Sequence, residues 1–421
     1  MNPFRKKRRL TPNEVFTPRS PEVNEKMYIS RPELERQLTR ALTATKHVVM
    51  HGESGCGKSW LYKKVLSDLN MKWELIDLAL AANKGSISKE IESVLARRVP
   101  LKRTEYTEKQ SLQGSAAVIK GAIENTDKFV ISSPDPLEQL LESMAEESHK
   151  KRSCLVFDNL ETIYSNKNLM DELGNMIILL DNPVYAKHQV IFLIVGVPNG
   201  VIQYFSGVSN LSTITNRLSE MPEVAKLSLE QVKNFVDKGF RDQLDISFPN
   251  EEIFEMFSSR INWATGGIPQ RLHEYCAELS YLIEDNDWQV EAEFLDETDK
   301  IWLSKYLTSK YVVIDSLMNS RRTEVQRRNQ ILYCLGTLDK RTFTVTDVEV
   351  ALKREFPENA DIEQLSNVVT QTLKFLDTIV SKTLGNSWTF IDPLYHSCIR
   401  VMLQKTSDGK VNKINIEQLT S

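Results

Sequence analysis

Apolar residues recur along the chain in two rhythms, which change over near residue 228. Before that point, short continuous apolar runs alternate with longer stretches of helical period. The runs are His47–His51, Trp73–Leu78, Cys154–Phe157 and Val190–Val195, the length and continuity of strands buried on both faces. Between them, Leu34, Leu38 and Leu42 keep a helical spacing, as do Trp60, Leu61, Val65, Leu66 and Leu69. Further helices are predicted over about 87–98 and 136–148. Strands alternating with helices predict an α/β fold, a parallel sheet with helices on both faces. Residues 104–134 break the rhythm and include Gln113-Gly114-Ser115-Ala116-Ala117, so they read as an insertion or mobile loop.

From Ser228 the pattern is helical. Ser228-Leu229-Glu230-Gln231 has the form of a capping box, and helices run to about 310 with one interruption at Thr265-Gly266-Gly267-Ile268-Pro269. The style changes again over 325–404: a helix, a short strand at Thr342–Val345, a helix to Phe356, and a helix over 361–377. Strands at Ile379–Leu384 and Trp388–Ile391 follow, joined through Gly385-Asn386. Three helices and a hairpin are a winged-helix layout. The expected division is a basic tail over 1–26, an α/β domain over 27–227, an all-α helical lid over 228–320, a winged helix over 321–404 and a tail over 405–421.

Composition narrows the class. Hydrophobic residues are 41% and charged residues 26% of 421, an ordinary globular balance. Fifty-three Lys and Arg against fifty-seven Asp and Glu leave a net charge of −4, so no global positive field advertises nucleic acid. The exception is Arg5-Lys6-Lys7-Arg8-Arg9, a solvated tail, a nucleic-acid arm or a targeting signal. Met1-Asn2-Pro3-Phe4 runs into charges without an apolar leader, and no apolar run approaches the ~18–20 residues of a membrane span. Five cysteines without a C-x-x-C pair read as reduced thiols, and the expected location is the cytoplasm.

The chemistry begins directly after the first strand. Gly52-Glu53-Ser54-Gly55-Cys56-Gly57-Lys58-Ser59 is a complete G-x-x-x-x-G-K-S loop, with a strand before it and a helix after it. Its glycines let backbone N–H groups converge on phosphate oxygens, and the following helix adds its positive dipole end. Lys58 is a point charge for the β- and γ-phosphates of ATP, and the Ser59 hydroxyl is a Mg²⁺ ligand. Cys56 reads as filler within the loop, and His51 beside it as a strand-end packing residue or a phosphate contact.

Leu155-Val156-Phe157-Asp158 ends a buried strand with a carboxylate on the sheet edge where ligands bind, so Asp158 is the expected Mg²⁺ partner, through water. The next residue, Asn159, cannot act as a base. Glu161 either orients the attacking water or is a solvated helix-start glutamate. Slow or partner-dependent hydrolysis is therefore expected. Asn199, in Gly196-Val197-Pro198-Asn199, is a candidate sensor of the third phosphate. Arg217 offers charge to phosphate in cis or in trans, or forms a surface ion pair. Arg271, beginning a helix after the Gly-Gly-x-Pro turn, is a candidate to reach the nucleotide from the lid, whereas His273 and Cys276 read as packing residues.

Together these residues resemble the AAA+ and STAND branches of P-loop ATPases, and most closely the origin-recognition and archaeal-type ATPases. Tyr28-Ile29-Ser30-Arg31-Pro32-Glu33-Leu34 looks like the segment that opens that family's domain over the adenine. Gly52–Ser59 is similar to the Walker A motif and Leu155–Asp158 to Walker B. Gly196–Asn199 resembles the sensor 1 strand and Gly266–Arg271 the sensor 2 helix. Phe390-Ile391-Asp392-Pro393 resembles the end of the family's winged helix. The resemblance implies that ATP is bound by the loop residues together with Trp60, Arg31 and Arg271. It also implies assembly into a homo-oligomer acting on a protein partner. Proteins of this type often belong to bacterial defence or mobile-element modules. Asn159 departs from the family's usual Walker B glutamate.

Two functions follow from the resemblance. One is a switch ATPase that assembles or remodels a protein partner. The other is a DNA-binding initiator or loader using the winged helix. Against the second, the predicted helix 361–377 holds one lysine and three acids, although Gln364, Asn367 and Gln371 suit base edges. A non-hydrolysing nucleotide-binding scaffold is the third alternative, kept open by Asn159. The six histidines share no ligand spacing.

Overall fold

The computed structural model describes residues 9–98, 135–196, 205, 211–319, 326–359, 364–383 and 385–416. The described chain forms two compact units. One comprises residues 30–54 and 58–225, the other the N-terminal segment to Ile29, Gly55–Gly57 and the chain from Lys226 onward.

The first unit is built on five strands: β1 His47–His51, β2 Trp73–Asp77, β3 Ser153–Asp158, β4 Val190–Gly196 and β5 Leu218–Glu220. Their order is β2-β3-β4-β1-β5, and every pairing is parallel. Both faces are covered, as the apolar runs require. On β2, Trp73 meets Tyr62 of the helix Lys58–Asp68, with ring centroids 6.0 Å apart. Its neighbour Glu74 points to the other face and accepts from Arg98 of the helix Ile87–Arg98 at 2.7 Å. β3 and β4 are almost wholly buried, with Phe157 and Phe192 in edge contact at 4.8 Å. The helices near 87–98 and 136–147 form where expected. Several elements were not expected, among them the helix Lys167–Leu179, the short helix Leu78–Lys84, capped by Asp77, and the edge strand β5. The insertion assigned to 104–134 lies outside the described residues.

The second unit holds the helices Leu229–Val236, Glu251–Thr265, Pro269–Asp285, Phe294–Tyr306 and Thr308–Leu317. It continues through Arg327–Thr337, Val345–Glu355, Leu365–Phe375 and Pro393–Met402. The Ser228 capping box forms as the sequence predicts, with Gln231 N–H donating to Ser228 Oγ at 3.2 Å. Three short antiparallel strands, β6 Thr342–Thr344, β7 Val380–Lys382 and β8 Ser387–Phe390, pair in the order β6-β8-β7. Gly55–Gly57 groups here through the Gln270 N–H, which donates to the Gly55 carbonyl at 3.1 Å.

Three boundaries differ from expectation. Residues 9–26 are folded onto the second unit and do not form the expected tail. Pro12–Val15 is a helical turn with a Thr11–Glu14 capping box, and Val15 and Phe16 are 1% exposed. Arg9 stacks over the Trp288 ring at 4.3 Å, which leaves the rest of the basic cluster outside the described residues. The apolar pair Val15-Phe16 outweighs the prolines and charges around it. At the other end, β9 Leu403–Lys405 and β10 Val411–Lys413 form a hairpin with Val411 buried, where a tail was expected from 405. The expected break between lid and winged helix is bridged by one core. Arg400 Nη1 donates to the Trp263 carbonyl at 3.2 Å while its guanidinium covers the Trp263 ring at 4.7 Å.

No helix among the described residues is long and apolar enough to cross a membrane. The five cysteines are buried and unpaired.

Candidate functional site

β1 ends at His51 and the chain turns through Gly52–Gly57 into the helix Lys58–Asp68. Gly55 and Gly57 adopt φ of +79° and +88°, a region open to glycine and strained for most other residues, so the curl of this loop depends on them. Gly52 and Cys56 are buried, Ser54 is exposed and Glu53 half-buried. Lys58 Nζ folds back over the loop and donates to the carbonyls of Gly52 at 2.7 Å and Glu53 at 3.1 Å. Trp60 sits half-buried on the first helical turn.

The second half of the site comes from the end of β3. Asp158 Oδ2 accepts from Ser59 Oγ at 3.4 Å and from the Tyr62 hydroxyl at 3.2 Å, while its Oδ1 accepts from the Asn159 N–H at 2.8 Å. Burial pushes the Asp158 carboxyl above the usual carboxylate range, and these hydrogen bonds, with the nearby Lys58, pull against that. Burial and the Asp158 charge raise the Tyr62 phenol far above its ordinary value, so it is a fixed donor. The donor set of one carboxylate and one hydroxyl suits Mg²⁺, a hard cation that takes one or two protein oxygens beside phosphate and water.

Asn159 has a left-handed backbone, φ +65°, and its side-chain amide donates to Asp77 Oδ1 at 3.0 Å. Asp77 ends β2 in register with Asp158 and also accepts from the Ala79 N–H at 2.9 Å, as the cap of the next helix. Tyr62 and Asp77 escaped the reading of the sequence. Each carried a signal: Tyr62 lies three residues past Ser59 on one helix face, and Asp77 closes an apolar run just as Asp158 does.

The remaining candidates separate. Glu161 is exposed on the short turn Leu160–Thr162. Asn199 lies outside the described residues, although Gly196 before it pairs with His51 beside the loop. Arg31 Nη1 donates to the Ala225 carbonyl at 3.2 Å, and His51 Nε2 stands 3.3 Å from Glu220 Oε1. Arg217 takes the ion-pair alternative. It precedes β5, whose Leu218 pairs with His47 at the start of β1, so it sits at the sheet edge opposite the loop. That is roughly 16 Å along the strand direction from His51, five residues at ~3.3 Å each. There its guanidinium meets Asp181 at 2.5 Å and the Thr213 carbonyl at 2.6 Å. Arg271 is 7% exposed and donates to Ser397 Oγ at 2.9 Å, within the second unit. His273 packs as expected. It accepts from the Thr17 N–H at 3.1 Å beside Phe235, and burial drops its pKa to about 3.

Residues 41–205, which span β1, the glycine loop, Asp77 and Asp158, match the family model of an AAA domain. The chain carries an AAA domain. Solved structures extend the likeness beyond the AAA domain. A Walker-type ATPase of Pyrococcus abyssi matches with a TM-score of 0.50 at 16% identity, over 90% of this chain and 98% of that one. The Aeropyrum pernix ORC2 protein, in its ADPNP–ADP complexes, matches with a TM-score of 0.51 at 11% identity, over 92% and 98%. At these identities the likeness concerns the fold alone. No curated protein matches the sequence.

Proposed function

We propose that the protein binds ATP with Mg²⁺ and hydrolyses it slowly or on stimulation. In this reading it is a homo-oligomeric switch whose nucleotide state assembles or remodels a protein partner complex. The observation that carries it is the meeting of Ser59 and Asp158 at 3.4 Å behind a glycine loop of left-handed turns. Lys58 is placed to exchange the Gly52 and Glu53 carbonyls for phosphate oxygens. Ser59 and Asp158 are the residues to hold magnesium, which when bound offsets the charge of the phosphates. Tyr62 fixes the Asp158 carboxylate. Slow turnover fits Asn159, which is engaged with Asp77, and Glu161, which stands exposed. The Pyrococcus abyssi protein is described as an ATPase and the Aeropyrum pernix structure holds ADPNP and ADP, which agrees with the ligand class.

A second reading, DNA binding through the winged helix expected over 321–404, draws support from one observation. The helix expected over 361–377 is described only as Leu365–Phe375, which contains Lys374 and no acid. Asp377 lies past its end and Asp361 and Glu363 fall outside the described residues. Ser366, Asn367, Gln371 and Lys374 are exposed on it. ATP turnover with and without duplex DNA, with Lys58→Ala as the blank, separates the two. The switch reading expects low turnover, lost in the variant and unmoved by DNA. A severalfold rise with DNA favours the second reading, and turnover that persists in the variant contradicts both.

A further inference from the structure

We infer that Asp77 supplies the carboxylate that the residue after Asp158 lacks: it is the group that orients and deprotonates the attacking water, and Asn159 is the residue that positions it. This rests on the hydrolytic reading above. Three observations carry it. Asp77 and Asp158 are paired residues of adjacent parallel strands, so both carboxylates emerge at the same edge and towards the same face of the sheet. That face lies under the helix of the glycine loop. Tyr62 on that helix touches Asp158 through its hydroxyl and Trp73 through its ring, and Trp73 shares the face of β2 with Asp77. Finally, the two donors to Asp77 among the described residues, the Asn159 amide and the Ala79 N–H, both reach Oδ1. They fix the carboxylate plane and leave Oδ2 without a hydrogen-bond partner among the described residues.

Asp77 is half-buried between Ile76 and Leu78, both 0% exposed, so the carboxylate is held at the rim of a dry core with one oxygen outward. Glu161 has no comparable support, since no described side chain is seen to hold its carboxylate and it lies on an exposed turn. In the step, a proton of the water passes to Asp77 Oδ2 as the water oxygen bonds the γ-phosphorus. The bond from that phosphorus to the β,γ-bridging oxygen breaks, its electron pair leaves with ADP, and the proton on Asp77 is returned to solvent.

The test uses the full chain with Asp77→Asn, which retains a good helix cap at 77 and so guards the fold. Two quantities are read: single-turnover ATP cleavage, and the affinity for a non-hydrolysable ATP analogue at several Mg²⁺ concentrations. Loss of a base predicts cleavage slowed ~100-fold or more with analogue affinity and its Mg²⁺ dependence held within about twofold. The double variant D77N/N159E, with a carboxylate moved to position 159, then regains cleavage. Cleavage at the parent rate in D77N overturns the assignment and leaves the hydrolytic reading standing. A loss of Mg²⁺-dependent analogue binding in D77N also overturns it, since Asp77 would then serve the metal. A parent protein that binds the analogue but never cleaves ATP, alone or with DNA, overturns the hydrolytic reading and this inference together.

Discussion

Ser59 Oγ and Asp158 Oδ2 meet at 3.4 Å across 99 residues of sequence, joining the first turn of one helix to the end of a strand two places away in the sheet. The Tyr62 hydroxyl completes this arrangement from one helical turn further on. It donates to the same carboxylate oxygen and favours its ionised form against a burial that opposes it. Tyr62→Phe removes that donor and leaves the ring on Trp73. We expect Mg²⁺-dependent affinity for an ATP analogue to weaken ~2- to 10-fold, the worth of one hydrogen bond. Titration of a fluorescent analogue measures it, and an unchanged affinity would show that Asp158 is held without Tyr62.

Arg217 is expected to be silent in catalysis. It stands at the edge of the sheet away from the glycine loop and is engaged by Asp181 and the Thr213 carbonyl. Arg217→Ala should leave ATP turnover within about twofold of the parent, while the Asp181 pair contributes on the order of 1 kcal/mol or less, as partly exposed pairs do. Steady-state turnover together with urea unfolding checks both halves. Collapse of turnover with stability intact would restore Arg217 as a catalytic arginine.

What the sequence made legible follows how local each signal is. The glycine loop, the strands ending in His51 and Asp158, and the Ser228 cap are written in contiguous residues, and they formed where expected. β5 is three residues long and apolar only at Leu218, too short to show a period. The N-terminal segment was obscured because two apolar residues, Val15 and Phe16, anchor a stretch otherwise rich in proline and charge. Asp77 became a site residue only through strand register, which relates it to Asp158 across 81 residues without any local mark. The reverse holds for Arg217: an arginine between two predicted elements looked suited to phosphate, and only the pairing of Leu218 with His47 places it at the far end of the strands from the glycine loop.

The docked N-terminal segment has a steric test. Gly239 lies under Phe16, and a Cβ there would stand 2.6 Å from the ring. Gly239→Ala must displace Phe16 from a cluster with Phe235 and Phe240, at ring distances of 5.9 and 5.2 Å. We expect a loss of about 1–3 kcal/mol and faster proteolytic cleavage within residues 9–29. Urea unfolding and timed proteolysis read these, and parent-like values in both would mean the segment is not held by Phe16.

Three histidines shape the response to acid. Burial lowers the pKa of His47 to about 4 and of His273 and His396 to about 3, against 6.5 for an ordinary histidine. The unfolded chain therefore binds protons below pH 6.5 that the folded chain refuses. Stability is intact above pH 6.5 and falls progressively as pH drops from 6.5 towards 3–4. Urea midpoints at pH 7.5 and 5 should show that fall, and His273→Gln, which keeps an acceptor for the Thr17 N–H, should reduce it. A fall of the same size in the variant would remove His273 from the account.

The central claim, a site for ATP and magnesium at the glycine loop, is tested most directly by equilibrium binding of fluorescent ATP with and without Mg²⁺, in the parent and in Lys58→Ala. The account predicts saturable binding that tightens with Mg²⁺ in the parent and falls at least tenfold in the variant, a difference of ~1.4 kcal/mol or more. Equal binding in both proteins, or none in the parent, would contradict it.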